Sequence, residues 1–153
     1  MTLAAGAAAP DFTLPTDGGG SITLSALKGQ QVILYFYPKD DTTGCTAQAC
    51  GFRDAEAGFR GAKTKVIGIS KDSVASHDKF KKKYELPFTL ASDKDGHVCE
   101  DYGTWAEKSM YGRTYFGIVR TTFLIGADGV IEQVWNKVKV AGHVAEVLKA
   151  AGE

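Results

Sequence analysis

The 153-residue chain has no excess of charge, because 18 acidic side chains balance 18 basic ones. Proteins that bind chiefly to nucleic-acid phosphates or anionic lipid carry a positive surplus, so neither partner is expected. The chain also lacks an apolar run near the ~18 residues that a membrane helix needs. Its alanine-rich N-terminus lacks the positive and apolar regions of a secretion signal. We therefore expect a cytoplasmic protein that contacts neither membrane nor nucleic acid.

Cysteine is scarce and odd in number, with Cys45, Cys50 and Cys99 as the only three. A chain of about 150 residues buries roughly 68–70% of its unfolded surface, so it needs no disulfide for stability. In a reducing compartment a cysteine is more often a reactive group than a structural one. The three thiols therefore predict chemistry rather than a disulfide scaffold.

Neither internal repeats nor low-complexity linkers divide the sequence. Its length fits one domain of the usual ~100–200 residues. Its hydrophobic fraction of 44% and charged fraction of 24% are those of an ordinary globular protein. We expect residues 1–153 to form a single domain.

Apolar runs alternate with helical patterns along the chain. Residues 32–37 and 65–70 are short runs typical of buried strands, and residues 46–60 between them have helical spacing, which predicts a parallel βαβ unit. The remaining predictions are extended pieces at 11–14 and 21–24, a helix at 72–84, a strand at 87–91, a short helix at 97–102, a hairpin of 121–125 with 130–135, and a helix at 141–151. This order predicts an α/β thioredoxin-like fold, with a mixed central sheet and helices on both faces.

Cys45 follows the buried strand directly and falls in the first turn of the predicted helix. The unpaired backbone N–H groups and the positive end of the helix dipole at such a position stabilise the thiolate, which is the nucleophilic form. Thr42 places a hydroxyl three residues upstream, where it can donate to the thiolate or to a bound oxygen. Pro38 fixes the loop and removes an N–H group. The alternative is a buried structural thiol beside a loop.

The pattern Pro38-x-x-x-Thr42-x-x-Cys45 resembles the active-site signature of the peroxiredoxins. Its continuation to Asp54 is similar to the subfamily called bacterioferritin comigratory protein, or peroxiredoxin Q, and the resemblance extends over nearly the whole chain. It implies a thioredoxin-like fold and thiol peroxidase activity on hydrogen peroxide and organic hydroperoxides. It also implies that Cys45 is the peroxidatic cysteine and that Arg120 is the active-site arginine.

The residue chemistry agrees with these implied roles. Cleavage of a peroxide O–O bond needs a soft, ionised nucleophile and donors that stabilise charge on the leaving oxygen. Cys45 supplies the sulfur, Arg120 a permanent charge with several N–H donors, and Thr42 a further donor. A structural ion pair is the alternative role for Arg120. This chemistry requires no metal and no organic cofactor.

Attack on a peroxide leaves a sulfenic acid on Cys45, which a second thiol must resolve. Cys50 is the first candidate. On an ideal helix, residues five apart have Cα atoms roughly 8.7 Å apart, whereas a disulfide needs about 4.4–6.8 Å. We therefore predict that the first turn and a half of this helix unwinds in each cycle, which the flanking Gly44 and Gly51 facilitate.

Several alternatives remain open at the level of sequence. Cys50 could be a packed helix residue with Cys99 as the resolving thiol, and Cys99 could equally be a small buried side chain. The resemblance suggests thioredoxin as the reductant, with glutaredoxin as a second candidate, and a monomer. A general dithiol–disulfide oxidoreductase is the rival activity, although that class normally carries Cys-x-x-Cys. A non-catalytic binding module is a third hypothesis.

A cluster of aromatic residues precedes Arg120 in the sequence: Trp105, Tyr111, Tyr115 and Phe116. These side chains either line the peroxide pocket or pack in the core and loops.

Overall fold

A five-stranded mixed sheet lies at the centre of the computed structural model, which describes residues 2–152. The strands are β1 (Thr13–Pro15), β2 (Ser21–Thr23), β3 (Gln31–Phe36), β4 (Thr64–Ser70), β5 (Thr89–Ser92), β6 (Trp105–Met110), β7 (Arg113–Ile118), β8 (Thr121–Ile125) and β9 (Ile131–Trp135). The helices are α1 (Thr43–Asp54), α2 (Glu56–Gly61), α3 (Val74–Tyr84), α4 (Val98–Asp101) and α5 (His143–Ala151). Among the helices of this range, none has the length and apolar character needed to cross a membrane.

The central sheet has the strand order β5-β4-β3-β8-β9. Strand β3 pairs in parallel with β4, and β4 with β5, whereas β8 and β9 run antiparallel to their neighbours. Every residue of β3 after Gln31 is buried, as expected for a strand covered on both faces. The predicted parallel βαβ unit is confirmed.

Two apolar clusters separate the faces of this sheet. One contains Cys45 and side chains of α1, α2, α3 and α5, and the other contains Cys99 and Tyr102 with the β1–β2 hairpin. Helices therefore lie on both faces, as predicted, although α4 is the only α-helix of the second cluster in residues 2–152. The sheet places Cys45 and Cys99 on opposite sides of the molecule.

The helix after β3 differs from the prediction at both ends. It begins at Thr43, three residues earlier than predicted, because Thr43 and Gly44 are weak helix formers that carry no apolar periodicity. It also ends at Asp54 and is followed by Ala55, whose backbone has φ −94° and ψ 3°, and α2 then starts with Glu56 in its first turn. The acidic residue there is favourable because it lies at the positive end of the second helix dipole.

The hairpin of β6 and β7 was not predicted. Its turn is formed by Tyr111 and Gly112, which have φ of 53° and 77°, the backbone that a two-residue type I′ turn needs. Most of its side chains are exposed, so the strands lack the alternation of apolar and polar residues that marks a half-buried strand. Tyr111 and Phe116 are 98% and 62% exposed, so neither packs in the core.

Candidate active site

The Cys45 thiol lies in the first turn of α1 and is 1% exposed. Helix α1 follows β3 after a loop of residues 37–42, and its first N–H groups have no acceptor within the helix. These groups and the helix dipole point toward the region of Cys45 and stabilise negative charge there. The predicted position of Cys45, after a buried strand and in the first helical turn, is confirmed.

Arg120 forms a hydrogen bond with the Cys45 thiol. It is half-buried in the short link between β7 and β8, and its Nη2 donates to Sγ of Cys45 at 3.3 Å. Its backbone carbonyl accepts from the N–H of Val138 at 2.9 Å, which holds the link in place. Residues 75 positions apart are thus brought into contact. The only charged side chain that hydrogen-bonds to Sγ in residues 2–152 is this guanidinium.

Gln48 is a member of the site that the sequence did not single out. It is fully buried one turn after Cys45, and its Oε1 accepts from Nη1 of Arg120 at 2.6 Å. The i, i+3 spacing on one helix face is the signal that would have found it. Its Nε2 is buried and has no hydrogen-bond partner among residues 2–152. Gln48 therefore fixes the plane of the guanidinium that contacts the thiol.

Gly44 permits the close approach of Arg120 to Cys45. A Cβ atom at this position would lie 3.1 Å from Nη2 of Arg120, closer than an ordinary contact. The absence of a side chain is therefore a packing requirement as well as a source of backbone freedom. Gly51, at the far end of the segment, lies against Val144 of α5, where a Cβ would be 3.0 Å from a methyl carbon.

Thr42 and Pro38 lie in the loop that leads to α1. Thr42 is exposed and immediately precedes the helix, and its hydroxyl donates to the carbonyl of Lys39 at 2.9 Å. Its hydrogen is therefore engaged within the loop. Pro38 is half-buried at the bend after β3.

The other two cysteines differ in their access to Cys45. Cys50 is half-buried in the same helix, whereas Cys99 is fully buried in α4 on the opposite face of the sheet. Burial, reinforced by the nearby carboxylate of Asp93, raises the pKa of the Cys99 thiol well above its ordinary range. All three thiols are free.

The chain matches the AhpC/TSA family over residues 5–134. A peroxiredoxin Bcp of Coxiella burnetii is 60% identical over 148 residues, which cover 97% of this chain and 98% of that protein. A peroxiredoxin Q structure from Xylella fastidiosa gives a TM-score of 0.92 at 37% identity, covering 100% of this chain and 99% of the other. For a bacterioferritin comigratory protein of Xanthomonas campestris the TM-score is 0.88 at 43% identity, with 92% and 89% covered.

These relatives confirm the predicted thioredoxin-like fold and the resemblance seen in the sequence. They do not favour the rival reading as a general dithiol oxidoreductase. The chain therefore belongs to the AhpC/TSA family, in its Bcp or peroxiredoxin Q group, and is a thiol peroxidase.

Proposed function

We propose that Cys45 is the peroxidatic cysteine and that Arg120 stabilises both its thiolate and the leaving oxygen. The observation that carries this proposal is the 3.3 Å contact between Nη2 of Arg120 and Sγ of Cys45 at the N-terminus of α1. The thiolate attacks the terminal oxygen of a hydroperoxide, a new S–O bond forms and the O–O bond breaks. The leaving oxygen takes up one proton, equal to the one that the Cys45 thiol lost on ionisation, so the products are a sulfenic acid on Cys45 and water or an alcohol.

The substrates in this proposal are hydrogen peroxide and organic hydroperoxides. The bacterioferritin comigratory protein of Xanthomonas campestris has alkyl peroxide reduction activity, which supports the second class. A peroxide is small and neutral, so the balanced net charge of the chain suffices for its approach. The N–H groups of Arg120 that are not bonded to Cys45 or Gln48 remain to donate to the peroxide oxygens.

Thr42 and Pro38 complete the proposed site. The Thr42 hydroxyl donates to Lys39, so its oxygen is left to accept a hydrogen bond from a protonated peroxide oxygen. The Pro38 ring narrows the entry beside the loop and restricts its backbone. Neither role requires a metal or an organic cofactor.

Cys50 is the proposed resolving cysteine. Its thiol attacks the sulfenic sulfur, an intramolecular Cys45–Cys50 disulfide forms, and water leaves. Both residues lie within the continuous helix α1, where ideal geometry separates their Cα atoms by roughly 8.7 Å. Because a disulfide fails beyond about 7 Å, α1 must unwind between them.

Cys99 is not proposed as the resolving thiol. A bridge to Cys45 would have to pass through the central sheet, whose two sides hold the two residues. Burial and Asp93 also keep Cys99 protonated, and a protonated thiol is a poor nucleophile. We therefore assign Cys99 a packing role.

Mass mapping after one equivalent of peroxide tests the pairing. We expect a Cys45–Cys50 disulfide in the wild type and in Cys99→Ser, which is the matched control because it also removes one thiol. In Cys50→Ser we expect single-turnover reaction to persist, recycling by thioredoxin to fail and overoxidation of Cys45 to increase. A Cys45–Cys99 disulfide, or full turnover of Cys50→Ser, would contradict the assignment.

Hydrogen exchange tests the unwinding of α1. Amides of residues 45–50 should be protected in the reduced protein and lose that protection in the disulfide form. Amides of β3 serve as the internal control, since this strand is paired on both sides and its protection should not change. Equal protection of residues 45–50 in both redox states would mean that the disulfide forms without helix opening, or does not form.

The remaining parts of the proposal concern partners and location. A thioredoxin-type dithiol reduces the disulfide, with glutaredoxin as the second candidate, because each attacks a disulfide that α1 exposes on unwinding. We propose a monomer, since an intramolecular disulfide needs no second subunit. Residues 1–153 act as a single domain in the cytoplasm, where reductants of this class are available.

A further inference from the structure

Asp40 is a buried carboxylate in the loop that joins β3 to Cys45. It lies between Pro38 and Thr42, and nothing in the local sequence pattern indicates a role for it. Its carboxylate accepts three hydrogen bonds, from the side chains of Tyr37 at 2.6 Å, Ser76 at 2.8 Å and His77 at 2.7 Å. Its backbone N–H donates to Asp72 at 2.8 Å. Asp40 is therefore bonded to the first residue of its own loop, to α3 and to the segment after β4.

His77 of α3 is the cation of this cluster. Its ring is fully buried and both ring nitrogens face acceptors, Nδ1 toward the Asp40 carboxylate and Nε2 toward the carbonyl of Ala91 at 3.0 Å. Nε2 must carry hydrogen, because a carbonyl can only accept. Nδ1 carries hydrogen as well when Asp40 is ionised, and the ring is then an imidazolium.

The charges around the ring favour this state. Burial by itself lowers the pKa of His77, but the hydrogen bond and charge of Asp40, with the Ala91 carbonyl and Asp72, outweigh it and raise the pKa above its ordinary value. The titratable groups that face the ring are Asp40, Asp72 and the hydroxyl of Tyr37, whose own pKa is raised by burial. Tyr37 is thus a neutral donor.

The same cluster brings three groups of metal-ligand type within 4.8 Å of one another: Asp40, Asp72 and His77. Each carboxylate already accepts hydroxyl hydrogen bonds, and each nitrogen of the imidazole already donates one. Internal donors therefore satisfy these groups, and the cluster serves as an ion pair rather than as a cation site.

We propose that the buried Asp40–His77 ion pair anchors the active-site loop, so that both are positioning residues for the attack of Cys45 on peroxide. The inference rests on the proposed role of Cys45. Arg120 holds Sγ, and the loop of residues 38–42 leads directly into the helical turn that carries Cys45. The loop's other side-chain ties are exposed, such as those of Asp41 to Lys83 and Tyr84, and exposed pairs hold a backbone weakly.

The Asp40–His77 ion pair is expected to affect only the peroxide-reducing half of the catalytic cycle. Peroxide reduction needs a folded α1 and a fixed loop, whereas the disulfide form requires the residues after Thr42 to unwind. Asp40 marks the boundary, because the chain up to it stays bonded to the body of the protein while α1 opens. Loss of the anchor should therefore slow the reaction with peroxide and leave the reduction of the disulfide unaffected.

Asp40→Asn and the adjacent Asp41→Asn form a matched pair of variants. Both replace an acid by its amide in the same loop, but Asp41 is exposed and has φ 58°, which asparagine tolerates. We expect kcat/KM for hydrogen peroxide to fall about tenfold or more in Asp40→Asn and to change about twofold or less in Asp41→Asn. In both variants kcat/KM for thioredoxin should equal that of the wild type.

This split distinguishes positioning from a loss of folded protein, which would lower both constants together. Equal kcat/KM values for hydrogen peroxide in Asp40→Asn and Asp41→Asn would contradict the proposed anchoring role of Asp40. Cys45→Ser, assayed beside them, tests the proposed function separately: turnover in that variant would refute the role of Cys45 itself.

The protonation of His77 is measurable in the wild type, so the test survives a variant that fails to fold. Nitrogen NMR of the ring at about pH 6, below the ordinary pKa of about 6.5, should show both nitrogens protonated, and a neutral ring would contradict the proposal. Because the pKa is raised on folding, the ion pair is fully present below the ordinary value of about 6.5. It is lost as the pH rises through the raised value.

Discussion

Cys45→Ser should reduce thioredoxin-dependent consumption of hydrogen peroxide to the background rate. A serine hydroxyl stays protonated at neutral pH and is a weak nucleophile toward a peroxide oxygen, whereas a thiolate is soft and ionised. The substitution exchanges one atom at a site that is 1% exposed, so the packing of α1 should change little. The measurement is the initial rate of peroxide loss with a thioredoxin system, together with far-UV circular dichroism to verify folding.

Cys99→Ser is the control for this loss. It also removes a buried thiol, but on the other face of the sheet, away from Arg120. We expect its turnover to match that of the wild type. Undiminished activity in Cys45→Ser would sink the peroxidase mechanism, and loss of activity in folded Cys99→Ser would show that the working thiol has been misassigned.

Arg120→Met should lower kcat/KM for hydrogen peroxide by about 10²–10³, which corresponds to ~2.7–4 kcal/mol of transition-state stabilisation. Methionine keeps much of the aliphatic length but removes the charge and the donors. The lost contacts are those to Sγ of Cys45 at 3.3 Å and to Gln48 at 2.6 Å. Stopped-flow kinetics of the reduced protein measure the peroxide step alone.

Two further variants separate charge from geometry at this position. Arg120→Lys keeps the positive charge, but a single ammonium group cannot donate to Cys45 and Gln48 from two nitrogens of one planar group. We therefore expect a kcat/KM for hydrogen peroxide between those of the wild type and Arg120→Met. Arg113→Met, on the exposed start of β7, removes an arginine away from the thiol and should leave the rate unchanged. Wild-type kinetics in Arg120→Met would refute the role of the guanidinium.

The position of Cys45 was predictable because its signal is local. A buried apolar strand, a proline, a threonine and a cysteine at the start of a helical pattern are all read within residues 32–50. The helix dipole acts on any group at such a position, whatever the rest of the fold. The parallel βαβ unit was predictable for the same reason, since short, mainly apolar runs mark strands buried on both faces.

Other features depended on contacts between distant parts of the chain. Gln48 and Arg120 meet across 72 positions, and Asp40 and His77 across 37. A buried polar residue looks like a surface residue in the sequence, because only the fold shows which partner satisfies it. The β6–β7 hairpin was missed because its exposed strands carry no burial pattern.

The sequence alone predicts thiol chemistry in a chain without net charge, and it distinguishes Cys45 from the other two cysteines through the local pattern of strand, loop and helix. The tertiary structure adds that Cys50 shares helix α1 with Cys45 whereas Cys99 lies across the central sheet, which supports Cys50 as the proposed partner. The spacing of five residues between Cys45 and Cys50 can be read from the sequence. The central sheet that separates Cys45 from Cys99 exists only after distant strands have paired. Side-chain chemistry is local information, whereas access between side chains depends on how the whole chain packs.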